Sequence, residues 1–313
     1  MKTSRPILFA LATLTLIGGC KKDADDTPGG SPPPVTTNPL RQVFAANLAN
    51  ATQQFTVVAS TGGVVQGQDG VYVGFAPNAF RYQNGNTVTG SVLVELVEAL
   101  EVGDMLWLNK QTLGNDGGQL RPLVSGGQFY LSATQAGQQL DLAPGTTYVS
   151  VPANGTPDPT MQLFSGTVDS EGTIIWDPFA DPDIADLDSS SYSFPNDSLG
   201  WVNCDVFMGQ GGAQSSVQVT CPAGHSDANT FVWLVFPDAN SMTQVWGGTS
   251  NLFTTGVYYQ LPVGMNVTVV ALSSINGQIS SSFSNAVVTQ DLNVSITFQP
   301  TTLAQFQVDA QGL

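Results

Sequence analysis

From Phe44 onward, apolar and polar residues alternate with a period of two, interrupted by turn residues every eight to twelve positions. That is the pattern of strands with one buried face. Phe55-Thr56-Val57-Val58 opens it, and residues 70–75 follow a Gly-rich turn. Asn84-Gly85 is a hairpin-type pair. In the long strand expected over 87–100, Val92, Val94 and Leu96 alternate with Leu93, Glu95 and Val97, so both faces are partly covered. Residues 128–134 and 147–151 complete a first set. A second set runs through 200–204, 216–221, 230–236, 257–261, 266–273, 278–283, 287–288 and 294–298. No stretch carries a sustained helical stripe. The chain therefore predicts an all-β protein with two antiparallel β-sandwich domains. The first spans 42–153 and the second 201–313, whose short final segment is ambiguous in type. Residues 154–200, opening on Asn154-Gly155-Thr156-Pro157-Asp158-Pro159, predict a linker and an acidic loop with short strands.

The N-terminus follows a different pattern. Lys2 and Arg5 precede a nearly unbroken apolar run over 7–17. Eleven residues are too few for a spanning helix, which needs about 20, but suit a cleaved leader. The run ends in Leu16-Ile17-Gly18-Gly19-Cys20, which resembles the bacterial lipobox. The resemblance implies a signal peptide over 1–19 and lipidation of Cys20, with palmitate-type chains. Two or more acyl chains anchor stably where one does not. Lys21, Lys22, Asp23, Asp25 and Asp26 resemble the lipoprotein export signal of Bacteroidota, with a solvated charged stub as the other reading. Residues 20–41 are then a flexible tether, Pro-rich over 27–38. At about 3.1 Å per residue it holds the body a few nanometres from the bilayer.

Composition narrows the partners. Only 10% of residues are charged, with 8 Lys+Arg against 24 Asp+Glu and no cation after Arg121. Loss of Lys2 and Arg5 with the leader takes the formal charge from −16 to −18. Such a surface repels nucleic acid and anionic lipid alike, so membrane contact is left to the lipid.

Catalytic chemistry finds little support. His225 is the only histidine, in the turn-like Pro222-Ala223-Gly224-His225-Ser226-Asp227. No G-x-S-x-G elbow, phosphate-binding Gly-Lys loop or dinucleotide fingerprint is present. Paired carboxylates could cleave glycosides without histidine, but Glu95, Glu98 and Glu101 are spaced to alternate across a strand, and Glu171 sits beside Asp169 in a turn. We therefore expect no enzyme and no cofactor, calcium apart. Asp177, Asp181, Asp183, Asp186 and Asp188 crowd one loop, which suits either calcium or plain solvation, without EF-hand spacing. Cys204 and Cys221 flank Gln210-Gly211-Gly212-Ala213. A hairpin there predicts a disulfide, with two buried thiols as the alternative. Of five tryptophans, Trp201 and Trp233 fall in strand cores, while Trp107 and Trp246 lie near turns as candidate platforms for a glycan.

Several motifs resemble known families. Gly62-Gly63, residues 70–75, Pro77-Asn78-Ala79-Phe80 and Val88-Thr89-Gly90-Ser91-Val92 resemble the ZU domain of ankyrins and netrin receptors in its bacterial form. Asp104-Met105, Gly126-Gly127 and Leu140-Asp141-Leu142 continue the likeness. Met161-Gln162-Leu163-Phe164, Trp176 and Gly200-Trp201-Val202-Asn203-Cys204-Asp205 resemble the middle of uncharacterised Bacteroidota cell-surface lipoproteins. Gly256-Val257-Tyr258-Tyr259-Gln260-Leu261-Pro262-Val263-Gly264 resembles the G-x-Y-x-x-x-L-P-x-G turn of prealbumin-like or immunoglobulin-like sandwiches. Asp197-Ser198-Leu199 resembles the Bacteroidota O-glycosylation acceptor, on Ser198. The resemblance implies an outer-membrane lipoprotein at the cell surface or facing the periplasm. It would serve as an interaction or structural module for an envelope protein or polysaccharide. The alternative is a glycan-binding lipoprotein of a nutrient-uptake system.

Overall fold

The computed structural model describes residues 38–184, 186–187, 190–209 and 211–313, so the leader, Cys20 and most of the tether lie outside the described residues. The chain is all-β, as the alternation predicts. In the first body, a nine-stranded sheet runs from the edge strand Gln53–Val58 through Ser91–Ala99 to the long Gln119–Gln135. It continues through Gly200–Phe207, Gln162–Val168 and Ile174–Asp183 to Leu113–Asp116. A five-stranded sheet, in the order Asp186–Leu187, Ser191–Pro195, Thr147–Pro152, Tyr72–Phe75 and Gly63–Gln66, faces it. Val92, Val94, Leu96, Phe129 and Val202 meet Val73, Val149, Val151 and Phe194 in the core between them.

This pairing moves the domain boundary. Residues 154–200 are not a linker, because Gln162–Val168 and Ile174–Asp183 are interior members of the first sheet. Gly200–Phe207, assigned above to the second sandwich, pairs with Gln119–Gln135 over residues 123–131. A 17-residue strand exposes a long row of backbone N–H and C=O groups, and these later strands satisfy them. Leu113–Asp116 pairs both with residues 119–122 and, in parallel, with Trp176, which closes five strands into a ring. Large and small residues alternate across the ring. Trp176 lies opposite Gly114 and Gly166, and Gly166 lies opposite Trp201. A Cβ on Gly166 would fall 2.8 Å from the Trp176 indole and 2.8 Å from Trp201 Cβ.

The second sandwich begins at Gln214. Its eight strands run Leu292–Ser295, Val217–Thr220, Leu252–Thr254, Ser241–Gly247, Thr230–Phe236, Asn266–Ile275, Gln278–Val287 and Gln299–Pro300. They fold around Val217, Val219, Val232, Leu234, Val267 and Val269. Every residue of Thr230–Phe236 is buried. Such a strand needs cover on both faces, and the second cover is the rest of the molecule.

That cover includes three helices that the alternation does not predict: α1 (Leu40–Ala51), α2 (Val102–Leu108) and α3 (Leu303–Gln311). Because α1 starts at Leu40, the expected tether is already ordered before residue 41. Phe44 of α1, Met105 of α2 and Phe306 of α3 join Trp176 and Trp201 of the first body and Phe231, Trp233, Val270 and Leu272 of the second in one cluster. Phe44 stands edge-on to Phe231 at 5.1 Å and to Trp233 at 6.0 Å. A Cβ on Gly103 would lie 2.9 Å from Gln311 Cα, so α2 and α3 approach as they do because residue 103 has none.

A buried polar strap, Asn109-Lys110-Gln111-Thr112, crosses the same region. Trp233 Nε1 donates to Asn109 Oδ1 at 3.0 Å. Gln111 Nε2 donates to Ile174 O at 3.0 Å, and Gln111 Oε1 accepts from Gln244 N at 2.9 Å. Thr112 N donates to Met242 O at 2.8 Å, and Thr112 Oγ1 lies 2.6 Å from Ser241 Oγ. Lys110 Nζ donates to Gly172 O at 3.0 Å. The two sandwiches thus share an interior.

Truncating Gln111 leaves Ile174 O and Gln244 N buried without partners, at about 1–3 kcal/mol each. Gln111→Ala is expected to lose about 2–5 kcal/mol in urea unfolding. A change at the exposed Gln119 should stay within about 0.5 kcal/mol. Equal effects at the two positions would remove the strap's role.

Candidate functional site

One cavity gathers titratable groups and an aromatic wall. Its volume is about 360 Å³, and Asn47, Asn50, Gln53, Gln68, Asp69, Glu98, Asp104, Trp107 and Gln307 are among the residues that line it. The end of α1, the turn around residue 68, α2 and α3 meet there. Glu98, buried at the end of Ser91–Ala99, spends its oxygens on structure. Oε2 accepts from Gln53 Nε2 at 2.8 Å and Asp69 N at 3.0 Å, and Oε1 accepts from Val71 N at 2.7 Å. A Cβ on Gly67 would come 2.2 Å from Glu98 Oε2, so only glycine lets the turn close over this carboxylate. Asp104 and Glu101 form a reciprocal capping box at the start of α2. Burial pushes the Asp104 carboxyl up to about 6, with Asp69, Glu101 and Glu98 adding repulsion and a backbone hydrogen bond from Glu101 opposing. Burial and the same acidic neighbours Glu98 and Glu101 also raise Asp69. Trp107 is half-buried, and its carbonyl accepts from Asn47 Nδ2 at 2.8 Å. Amides, carboxylates and a partly open indole suit a polyhydroxylated or cationic small group.

Asp69 and Asp104 escape the sequence reading, which weighed Glu95, Glu98 and Glu101 as one alternating strand. The strand carries Glu95 and Glu98, whereas Glu101 caps α2. The E-x-x-D spacing of Glu101 and Asp104 is the signal that marks the helix start.

The other candidates fall elsewhere. Trp246 is no platform: it is 3% exposed, with Tyr258 packed on it at 4.5 Å and Tyr259 at 6.1 Å. Its strand Ser241–Gly247 is buried through residue 246, so the nearby Gly247-Gly248 turn does not free it. The disulfide does not form. Cys204 and Cys221 are free and buried. Cys204 belongs to the first core and Cys221 to the second, because Gly200–Phe207 pairs within the first sheet rather than folding back in a hairpin. Of the acidic loop, Asp177 lies in strand Ile174–Asp183 and accepts from Asn115 Nδ2 at 2.9 Å. Asp177 stands opposite Ser165 and Asp183 opposite Gln162, with a break in register between them. Asp181 is in the same strand and Asp186 in Asp186–Leu187, while Asp188 lies outside the described residues. No group of three or more His, Cys, Asp or Glu among the described residues could hold a metal. Ser198 is half-buried in the turn before Gly200–Phe207, where its carbonyl accepts from Asn196 Nδ2 at 2.8 Å.

No family model and no curated protein matches this chain.

A carboxyl held high in the folded state stabilises it fully below the unfolded value near pH 4, and that stability is lost as pH rises through about 6. Asp104→Asn keeps the shape without the charge. It is expected to raise the Tm at neutral pH by about 2–4 °C and to change it little near pH 4. Thermal scans at both pH values check this. A variant less stable at neutral pH contradicts it.

Proposed function

We propose that the chain is a lipid-anchored protein of the bacterial outer membrane, carried at Cys20. On this reading it presents a rigid, non-catalytic interaction or structural module beyond its tether. The observation that supports this best is where the tether ends. Asn38 Nδ2 donates to Asp227 O at 2.9 Å and Thr230 O at 3.4 Å, both in the second sandwich. Immediately afterwards α1 packs Phe44 on Phe231 and Trp233. Strain on the leash is thus delivered to the shared interior rather than to an edge strand that could peel. The acidic surface favours contact through acyl chains over contact through protein, and no helix among the described residues is long and apolar enough to cross a membrane. For a non-catalytic role, Glu98 is committed to three donors, and His225 stacks on Phe298 at 4.1 Å with Nδ1 3.0 Å from Ser273 Oγ. Burial lowers the His225 pKa, which favours the neutral ring.

A second reading, a glycan-binding lipoprotein of a nutrient-uptake system, draws on Trp107 lining a cavity rich in amides.

Labelled palmitate is expected in the full-length protein and absent from Cys20→Ala, with the wild type entering the detergent phase on phase separation. Label that persists in the variant overturns the anchor.

A further inference from the structure

We infer that the Trp107 cavity and the hollow beside strand Gln53–Val58 are one cleft, which binds an oligosaccharide carrying a free amino group at the Trp107 end. The inference rests on the second reading above, in which this cavity takes a glycan. It adds the kind of sugar and the direction in which it lies.

Continuity comes first. The second hollow, of about 560 Å³, is lined by the end of α1, the start of the edge strand Gln53–Val58 and residues 66–68. It shares Asn50, Ala51, Gln53 and Gln68 with the Trp107 cavity. A half-buried aromatic residue lines each arm, Trp107 in one and Phe55 in the other. The shared stretch and the outer arm carry Asn50, Gln66 and Gln68, all exposed. Each of these carboxamides has one acceptor and two donors to meet hydroxyl groups. Apolar rings beside a few polar groups suit a saccharide chain, whose rings have C–H faces and hydroxyl rims.

The inner arm differs, because what it leaves open are acceptors. Asn47 lines it and is only 6% exposed. Its Nδ2 donates to Trp107 O at 2.8 Å, which fixes the amide and leaves Oδ1 as the other end. Among the described residues no donor meets that oxygen. A buried acceptor without a donor costs free energy until a ligand supplies one. Asp69 and Asp104 line the same arm, and Asp104 is repelled by Asp69, Glu101 and Glu98. No cation among the described residues relieves them. Arg41 pairs with Glu171 and Arg121 with Asp116. Lys110 Nζ donates to Gly172 O, and Arg81 Nη1 to Asn78 O and Phe80 O.

An ammonium group answers each of these needs. It has three donors and no acceptor, so it can meet Asn47 Oδ1 and both carboxylates. Its charge offsets theirs, and the electron-rich face of an indole attracts it further. A uronic acid would instead add a carboxylate to a site that already repels its own.

The test uses the full chain in detergent at about 0.15 M salt, which screens the bulk charge of the protein. Titration calorimetry compares the β-1,4-linked glucosamine tetramer with its N-acetylated counterpart, a mannuronate tetramer, free glucosamine and spermidine. The free-amine tetramer is expected to bind at least about tenfold more tightly than the acetylated one, and mannuronate not at all. Asp69→Asn and Asp104→Asn should each cost the free-amine tetramer about tenfold and leave the acetylated one within about twofold. Asp238→Asn, at an exposed acid outside the cleft, should change neither. Gln66→Ala should weaken the tetramer several-fold and leave free glucosamine unchanged, since a single ring does not reach the outer arm.

Equal affinity for the two glucosamine tetramers overturns the inference and leaves the glycan reading standing. So does a loss with Asp238→Asn as large as that with Asp104→Asn. Spermidine bound as tightly as the tetramer, with no effect of Gln66→Ala, overturns the saccharide in favour of a plain polyamine. Binding of no saccharide at all overturns the inference and the glycan reading together.

Discussion

The molecule depends on an interior shared between two sandwiches. Each sandwich has its own core, but the strand Thr230–Phe236 and the outer face of the nine-stranded sheet are apolar on a second side. Left apart, these faces would expose Trp176, Trp201, Phe231 and Trp233 to water, and side chains of this size are worth several kcal/mol each when buried. Apolar contact alone would let the two bodies slide. The buried strap from Asn109 to Thr112 fixes their registration, since its hydrogen bonds form only when Gln244, Met242 and Trp233 stand opposite it. Polar groups of this kind cost free energy when mispaired, which is what makes the arrangement unique.

Other buried polar residues serve the same junction. Asn240 takes a left-handed backbone at φ 45°, which asparagine tolerates. From there its side chain donates to Leu100 O at 2.8 Å and accepts from Val102 N at 2.8 Å, tying the second sandwich to the start of α2. Asp205 is wholly buried, with Asn203 Nδ2 donating to it at 2.5 Å. Burial raises its pKa well above the ordinary carboxylate value. These groups bind the fold together.

Much of the strand content was legible because alternation is local. Val92, Val94 and Leu96 point to one core as their spacing predicts, and the unbroken apolar run over 231–236 announces cover on both faces. Failures arise where the determinant is remote. Gly200–Phe207 has the pattern of a strand, but nothing local says that it pairs with Gln119–Gln135 rather than with its successors. Cys204 and Cys221 are close in sequence and divided by that choice. The turn beside Trp246 suggests exposure, and Tyr258 and Tyr259, more than ten residues later, remove it. Leu40, Phe44 and Asn47 form the buried side of α1, a stripe diluted by alanine and amides and lacking a side-chain N-cap. The cavity beside Trp107 needed α1, α2 and α3 together, so its acids could not be grouped from spacing.

The most direct test of the shared interior is calorimetry of the intact protein. One cooperative transition is predicted, with the calorimetric enthalpy equal to the van't Hoff enthalpy, because neither sandwich can keep its second face dry without the other. Two separate transitions, each with the enthalpy of a single sandwich, would contradict the account.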